Sequence, residues 1–464
     1  MVGRIQEQQE LLRAYKSKES EFIMVYGRRR VGKTYLIREF FKDNFEFSCT
    51  GIAQGTKEEE LMNFRTALER SAPSQDYPIF KNWMKAFDAL RSLLENSKKE
   101  RKVVFLDEVP WMQTQKSDFL KALEHFWNDW ACRQHNIILI VCGSAASWMV
   151  KKIINSKGGL HNRITLPIKL QPFTLKETEE YLHSQHIKWD RKTIAESYMI
   201  LGGIPYYLKL LDKGLSLAQN IDRLFFANNA ILKGEFENLY SSLFRDSKDY
   251  ITIVETLSKK SKGCTREEIL SKSKFKDGGG VTAKLDDLAE CGFIRRYNSR
   301  GDVSYIYQLT DFFTMYYFRF IKKGAYEDES FWLHTQQTPS YSTWKGLSFE
   351  KLCLWHLPQI KRALGVDGIS SKAFAYLDKN IQVDMILERA DRVVNIFEMK
   401  YYDGQLSISA KYADTLNTRK QIISKLYKNK LSFSTVLLTA DGLKENEFST
   451  ASVQIALTLD SLFS

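Results

Sequence analysis

The chain has 464 residues, 44% of them hydrophobic and 13% aromatic, which suits two or three cored domains and is too rich for a disordered chain. A net charge of +12 favours anionic partners, nucleotides or nucleic acid. Six scattered cysteines with no CxxC pair argue against a disulfide framework and a zinc site. The polar N-terminus lacks a signal peptide's apolar core, and no apolar run reaches the ~20 residues of a membrane span, so a soluble, cytoplasmic protein without membrane contact is expected.

Residues 4–19 read as an amphipathic helix with Ile5, Leu11, Leu12 and Tyr15 on one side. A buried strand, 22–26, leads through a turn rich in glycine and arginine into a helix that starts near Lys33. Further apolar strands are expected at 103–107, 137–142 and 164–170. Apolar strands alternating with helices predict a parallel α/β sheet covered on both faces. From about 175 the pattern turns helical, opening on the Thr174/Glu177 capping-box spacing and interrupted by Gly-Gly-Ile-Pro at 202–205. Helices at 247–259, 265–272 and 279–290, then strands at 293–298 and 303–309 around Ser299–Asp302, outline a winged helix. Residues 313–345 are aromatic and poorly patterned, a packed connector. From 346 a smaller α/β unit follows, with strands at 381–387, 393–399 and 433–438 and a basic helix at 410–428. The expected domains are therefore 1–172, 173–245, 246–312, 313–345 and 346–464.

Gly27-Arg28-Arg29-Arg30-Val31-Gly32-Lys33-Thr34 matches the phosphate-binding GxxxxGK[ST] loop and sits between a strand and a helix, as that loop requires. Its glycines let backbone N–H groups wrap the phosphates of ATP, and the helix N-terminus adds a favourable dipole. Lys33 would reach the β- and γ-phosphates and the Thr34 hydroxyl would coordinate Mg2+. The three arginines either touch phosphate or face solvent. The strand at 103–107 ends in Asp107 and Glu108: Asp107 would hold the magnesium through water, and Glu108 would polarise the attacking water. The strand at 137–142 delivers Ser144 to the same edge, as a γ-phosphate sensor or simply a helix cap.

The Val-Gly-Arg at 2–4, the YGRRRVGKT loop, the FLDE strand, the CGS strand end, the His-Asn-Arg at 161–163 and the GGIP segment occur in this order. Together they resemble the archaeal and bacterial ATPase family related to the AAA+ and STAND classes, over roughly residues 1–240. The resemblance implies that Val2, Gly3 and Arg4 border the adenine and that Gly203 and Pro205, at the start of a helical lid, approach the nucleotide. It also suggests that Arg163 acts on the γ-phosphate, either within the chain or across the interface of a homo-oligomer.

In the winged-helix outline the recognition position falls on 279–290, which offers Thr282 and Lys284 but also Asp286, Asp287 and Glu290. Groove-reading helices normally carry more Arg, Lys and Asn. The hairpin is better supplied, with Arg295, Arg296 and Arg300, so the module is either a DNA binder through its wing or a packing module. In the last unit, Asp384 on one strand and Glu398-Met-Lys400 on the next have the spacing of the PD-(D/E)xK nuclease core. Strand alternation puts Glu398 and Lys400 on one face beside Asp384, and Glu350 on a preceding helix adds an acid. This segment is similar to the domain often appended to the ATPase family and likened to restriction endonucleases, although Gln382-Val383 stands where the core motif has its proline. The whole suggests an ATP-hydrolysing switch that controls a DNA-facing winged helix and a Mg2+-dependent nuclease-like domain. The alternative is a non-catalytic ATP-dependent switch that binds DNA or a partner protein, with an inert C-terminal domain.

Overall fold

The computed structural model describes residues 1–114, 117–155, 158–244, 246–298, 305–322, 328–377, 381–428 and 430–464. The Ser299–Asp302 turn, with Arg300, lies outside the described residues. The chain divides into two compact units, the first Met1–Pro172 with two short later segments including Asp286–Gly292, and the second Phe173–Ser242, Asp246–Leu285 and Phe293–Ser464.

In the first unit, β1 (Glu21–Tyr26), β2 (Phe47–Thr50), β3 (Lys102–Asp107), β4 (Ile137–Gly143) and β5 (Leu166–Lys169) form a parallel sheet in the order β2-β3-β4-β1-β5. The interior strands are apolar without alternation because helices cover both faces; β4 is buried at every position. β2 is an edge strand of four residues, too short to stand out in the sequence. On one side of the sheet Phe47, Phe64, Trp83 and Phe119 stack edge to tilted, with ring centroids 4.7, 5.4 and 4.8 Å apart in succession. The N-terminal helix, Ile5–Lys16, buries Leu11 and Ala14. The expected apolar side is therefore corrected: Ile5, Leu12 and Tyr15 are exposed, since the helix docks along a stripe narrower than its periodicity suggests.

In the second unit, helices Leu175–Ser184 and Arg191–Leu201 begin at the side-chain caps Thr174 and Asp190. Helices Ser247–Ser258, Arg266–Ser273 and Gly279–Glu290, the last of which passes into the first unit from Asp286, accompany a three-stranded antiparallel sheet of β6 (Cys264–Thr265), β7 (Ile294–Asn298) and β8 (Tyr305–Leu309), ordered β6-β8-β7. The aromatic stretch after it packs into a buried cluster of Tyr316, Phe320, Trp332 and Trp344. The division expected at 345/346 falls inside one helix, Pro339–Trp355.

The C-terminal sheet joins β9 (Ser371–Leu377), β10 (Gln382–Arg389), β11 (Val393–Lys400), β13 (Ser432–Thr439) and β15 (Ile455–Thr458) in the order β15-β13-β11-β10-β9. The short strands β12 (Leu406–Ser407) and β14 (Leu443–Lys444) pair separately. β10 runs antiparallel to both β9 and β11, and β11, β13 and β15 are parallel. Helix Ala410–Leu426 supplies the crossover between β11 and β13 that parallel strands need.

One buried contact ties the helices after Pro172 to this C-terminal part. The Nε2 of His356 accepts the Leu175 backbone N–H at 3.0 Å while Nδ1 faces the Leu352 carbonyl at 2.9 Å, so the ring is neutral with Nδ1 protonated. Burial pulls its pKa down to about 4. The unfolded chain then binds more protons than the folded one between pH 6.5 and 4, so stability falls as pH drops through that window. Urea unfolding should show a loss on the order of 3 kcal/mol from about pH 7 to 4, and His356→Gln, which keeps an acceptor, should flatten that loss.

Candidate functional site

The nucleotide-binding loop starts where β1 ends. Gly27 has φ 144°, and a Cβ there would stand 2.3 Å from the Leu170 carbonyl oxygen, so no larger residue fits. Arg30 and Gly32 also take positive φ as the loop turns back into helix Lys33–Phe41. Arg28 is buried and Arg29 exposed, which separates two arginines that look alike in sequence. Arg4 is buried as well, and its guanidinium donates to the Val31 carbonyl at 3.1 Å, tying the Val2-Gly3-Arg4 segment to the loop.

Lys33 is 5% exposed. Its ammonium donates to the carbonyls of Gly27 (3.2 Å) and Arg28 (2.9 Å) and to the Ser144 hydroxyl (3.3 Å). Ser144 in turn donates its backbone N–H to Glu108 at 3.0 Å and its hydroxyl to the same carboxylate. The three side chains form one chain because β1 and β4 are in register to Tyr26 and Gly143, and β3 ends beside β4. Glu108 adopts a left-handed backbone (φ 50°), which swings its carboxylate across to β4. Gly143 is required here: a Cβ would lie 2.7 Å from Pro110 and 2.8 Å from the Met149 sulfur.

The Thr34 hydroxyl donates to Asp107 at 2.8 Å. Burial raises the Asp107 pKa against the opposing effect of that hydrogen bond. A hydroxyl and a carboxylate side by side are hard oxygen donors, and a cation between them would relieve the buried charge, so Thr34 and Asp107 fit a magnesium ion completed by phosphate and water. The buried thiol of Cys142 lies against Asp107, a neighbour that nothing in an apolar strand singles out beforehand.

Arg163 does not join this group within the chain. It is exposed and precedes β5, and Thr165 donates to the Phe22 carbonyl at 2.9 Å, where β1 begins. The parallel register then runs to Tyr26 and Lys169, so Arg163 lies at the opposite edge, about 13 Å of strand from the loop. Gly203 and Pro205 belong to the second unit. There Gly202 ends the helix, Gly203 (φ 64°) packs on Tyr198 and the Phe173 carbonyl, and Pro205 opens the next turn.

Glu350, Asp384, Glu398 and Lys400 line one cavity of about 360 Å³ in the second unit. The β10/β11 register, Met385 opposite Phe397, carried one step further sets Asp384 across from Glu398. Glu398 is 3% exposed. One of its oxygens accepts from the Tyr412 hydroxyl (2.8 Å) and from Lys400 (3.2 Å), and the other is held by Arg419. Asp384 accepts the Met399 backbone N–H at 3.3 Å. Burial raises the pKa of both Asp384 and Glu350, the latter to about 7, with Glu398 adding to the first and Asp384 to the second. Among the described residues no group of three or more His, Cys, Asp or Glu is arranged for a metal. With Glu398 already neutralised, these carboxylates as they stand do not fit a magnesium ion. Tyr412 and Arg419 escape the sequence reading as partners of Glu398, although a spacing of seven residues, two helical turns, puts them on one face.

The two described arginines of the expected wing differ in setting. Arg295 faces this same cavity, donating to Gln308 at 2.7 Å and lying 5.1 Å over the Tyr297 ring, while Arg296 is exposed. On helix Gly279–Glu290, Lys284 pairs with Asp249 at 3.3 Å, Asp287 with Lys151 at 2.6 Å and Glu290 with Lys169 at 3.1 Å.

The strand order, the loop and the acids at the ends of the strands define a parallel-sheet α/β domain carrying a P-loop. Residues 1–211 match the family model described as an ATPase domain predominantly from Archaea. The chain is 25% identical over 409 residues to the uncharacterized protein MJECL04 of Methanocaldococcus jannaschii, covering 87% of this chain and 88% of that one. The Walker-type ATPase PABY2304 of Pyrococcus abyssi shares the fold, with a TM-score of 0.51 and 18% identity over 69% of this chain and 96% of that one. The ORC2 protein of Aeropyrum pernix, solved with ADPNP and ADP, aligns at a TM-score of 0.42 and 15% identity, over 70% of this chain and 95% of that one. The family match supports a P-loop ATPase domain over residues 1–211, and the Pyrococcus structure shares its fold. Among the described residues no helix is long and apolar enough to cross a membrane.

Lys33→Ala should abolish measurable ATP binding. Glu108→Gln should leave binding within about twofold and slow turnover by roughly 10²-fold or more, an effect on the order of that of a positioned general base. Calorimetric titration and a phosphate-release assay separate the two.

Proposed function

We propose that the protein is an ATP-hydrolysing switch whose nucleotide state controls a DNA-facing second unit. The observation that carries this reading is the chain Lys33–Ser144–Glu108, since it links the cation that would grip the γ-phosphate to the carboxylate that would polarise the water. Arriving phosphate offers Lys33 a better partner than the Gly27 and Arg28 carbonyls and draws on the same hydroxyl that Glu108 holds. Freed from Ser144, Glu108 can orient water in line with the γ-phosphate. Thr34 and Asp107 would hold a magnesium ion, which would supply charge neutralisation at the phosphates. Val2, Gly3 and Arg4 would border the adenine, and Arg4 would keep the loop in place through Val31. Gly203 and Pro205 would report nucleotide to the helices that follow, and Arg163 would complete the site of a neighbouring copy.

In the second unit the three helices and the hairpin are read as a winged helix. Its recognition-position helix is a packing element, because the charges Lys284, Asp287 and Glu290 are ion-paired. DNA contact falls instead to the sheet side. The last unit is read as restriction-endonuclease-like, with the assembled acids and lysine kept and Glu398 neutralised. A second reading, Mg2+-dependent cleavage, draws on the convergence of Glu350, Asp384, Glu398 and Lys400 in one cavity; it requires Arg419 to release Glu398.

One experiment addresses both. Labelled DNA is titrated with the Glu108→Gln protein held in ATP and with wild type in ADP, and plasmid DNA is incubated with magnesium in parallel. Affinities differing about fivefold or more, a typical coupling between sites, support the switch, and equal affinities contradict it. Nicking that vanishes in Asp384→Ala and Lys400→Ala supports cleavage; intact plasmid throughout assigns the centre to binding.

A further inference from the structure

The acid-lined cavity is not isolated. A second cavity of about 490 Å³ in the same unit shares Lys260, Ser261, Leu347 and Lys351 with it, so the two meet along helix Pro339–Trp355. Each has the size of a small-ligand pocket, too small for a duplex. At the junction two cations face neutral partners: Lys351 donates to the Ser261 carbonyl at 3.0 Å, and Arg295 to Gln308. Burial, with Arg295 nearby, pulls Lys351 down to about 7. An anion placed there would offset both desolvated charges at once.

The second cavity has a different character, walled by Met315, Phe318 and Trp344. Trp344 is 5% exposed, and its indole N–H, a donor only, has no hydrogen-bond partner among the described residues. A buried donor left open is destabilising. That donor is closed off from the cavity, so what Trp344 offers a ligand there is its apolar ring. An apolar, aromatic wall for a base beside a basic seat for a phosphate is how single strands are bound without a duplex.

We propose that the two cavities form one site for a single nucleic-acid strand, with a phosphodiester between Arg295 and Lys351 and a base against Phe318 and Trp344. The inference deepens the reading of the second unit as DNA-facing, and rests on it. The carboxylates of Asp384 and Glu350 then lie beside the backbone of the bound strand, and duplex DNA enters only where it has opened.

The test is fluorescence anisotropy in EDTA without nucleotide, so that neither cleavage nor ATP turnover enters. Full-length protein is titrated with a labelled strand of about 12 DNA nucleotides, within the span a single-strand site covers, the RNA strand of the same sequence, and the matching DNA duplex. One strand should bind about tenfold or more tighter than the duplex, and the tighter of DNA and RNA identifies the source. Lys351→Met should weaken strand binding about tenfold and flatten its salt dependence. Trp344→Phe, which keeps a ring but shrinks the stacking face, should weaken the strand severalfold and leave the duplex unchanged; circular dichroism verifies that both variants fold. Equal affinity for strand and duplex, or strand binding unchanged in both variants, overturns the proposal. Duplex binding alone would overturn it while sparing the DNA-facing reading, whereas absence of binding to all three would overturn both.

Discussion

The P-loop is closed around the ammonium of Lys33, and the geometry of the first unit follows from satisfying that charge. A buried lysine must have oxygen partners or lose its proton. The partners here are two carbonyls of its own loop and a hydroxyl delivered by the neighbouring strand. The loop can present those carbonyls only because Gly27 and Gly32 take conformations closed to most residues. The hydroxyl arrives only because β4 lies beside β1 in the strand order. Ser144 therefore serves two charges of opposite sign, accepting from Lys33 and donating to Glu108, and any ligand that takes over Lys33 must alter what Glu108 holds.

The second unit solves the opposite problem, too many acids close together. Asp384 and Glu398 face each other across adjacent strands, with Glu350 near Asp384. Like charges in a low-dielectric cleft cannot all stay ionised without cations. The answer is local: Arg419 and Lys400 neutralise Glu398, while Asp384 and Glu350 shift upward. His356, the Arg191–Asp460 pair at 2.9 Å and the Lys192–Asp441 pair join the helices after Pro172 to the C-terminal part, so within this unit a displacement of one is felt by the other.

Much of this is legible in the sequence. The core strands stand out because buried parallel strands are continuous apolar runs, and the loop does so because GxxxxGK[ST] between a strand and a helix rarely arises by chance. The acids at 107 and 108, and Ser144, are legible because strand ends converge at one edge of a parallel sheet. What is not legible depends on partners distant in sequence. Arg163 sits after the right kind of motif, but the parallel direction of β5 puts it at the wrong edge for its own nucleotide. Arg295 has the look of a wing cation and is turned inward onto Tyr297. Strands β2, β6 and β9 escape notice: the first two are too short for alternation, and β9 packs at a sheet edge where side-chain type is weakly constrained.

The account stands most directly on the pairing of Thr34 with Asp107 as the seat of the metal. The decisive measurement is the magnesium dependence of ATP hydrolysis in wild type and in Asp107→Asn at saturating ATP. The account predicts that the variant still binds ATP but needs about tenfold or more magnesium to reach half its maximal rate, since one of the two protein oxygens near the ion has lost its charge. An unchanged magnesium requirement, with hydrolysis intact, would contradict it and place the metal elsewhere.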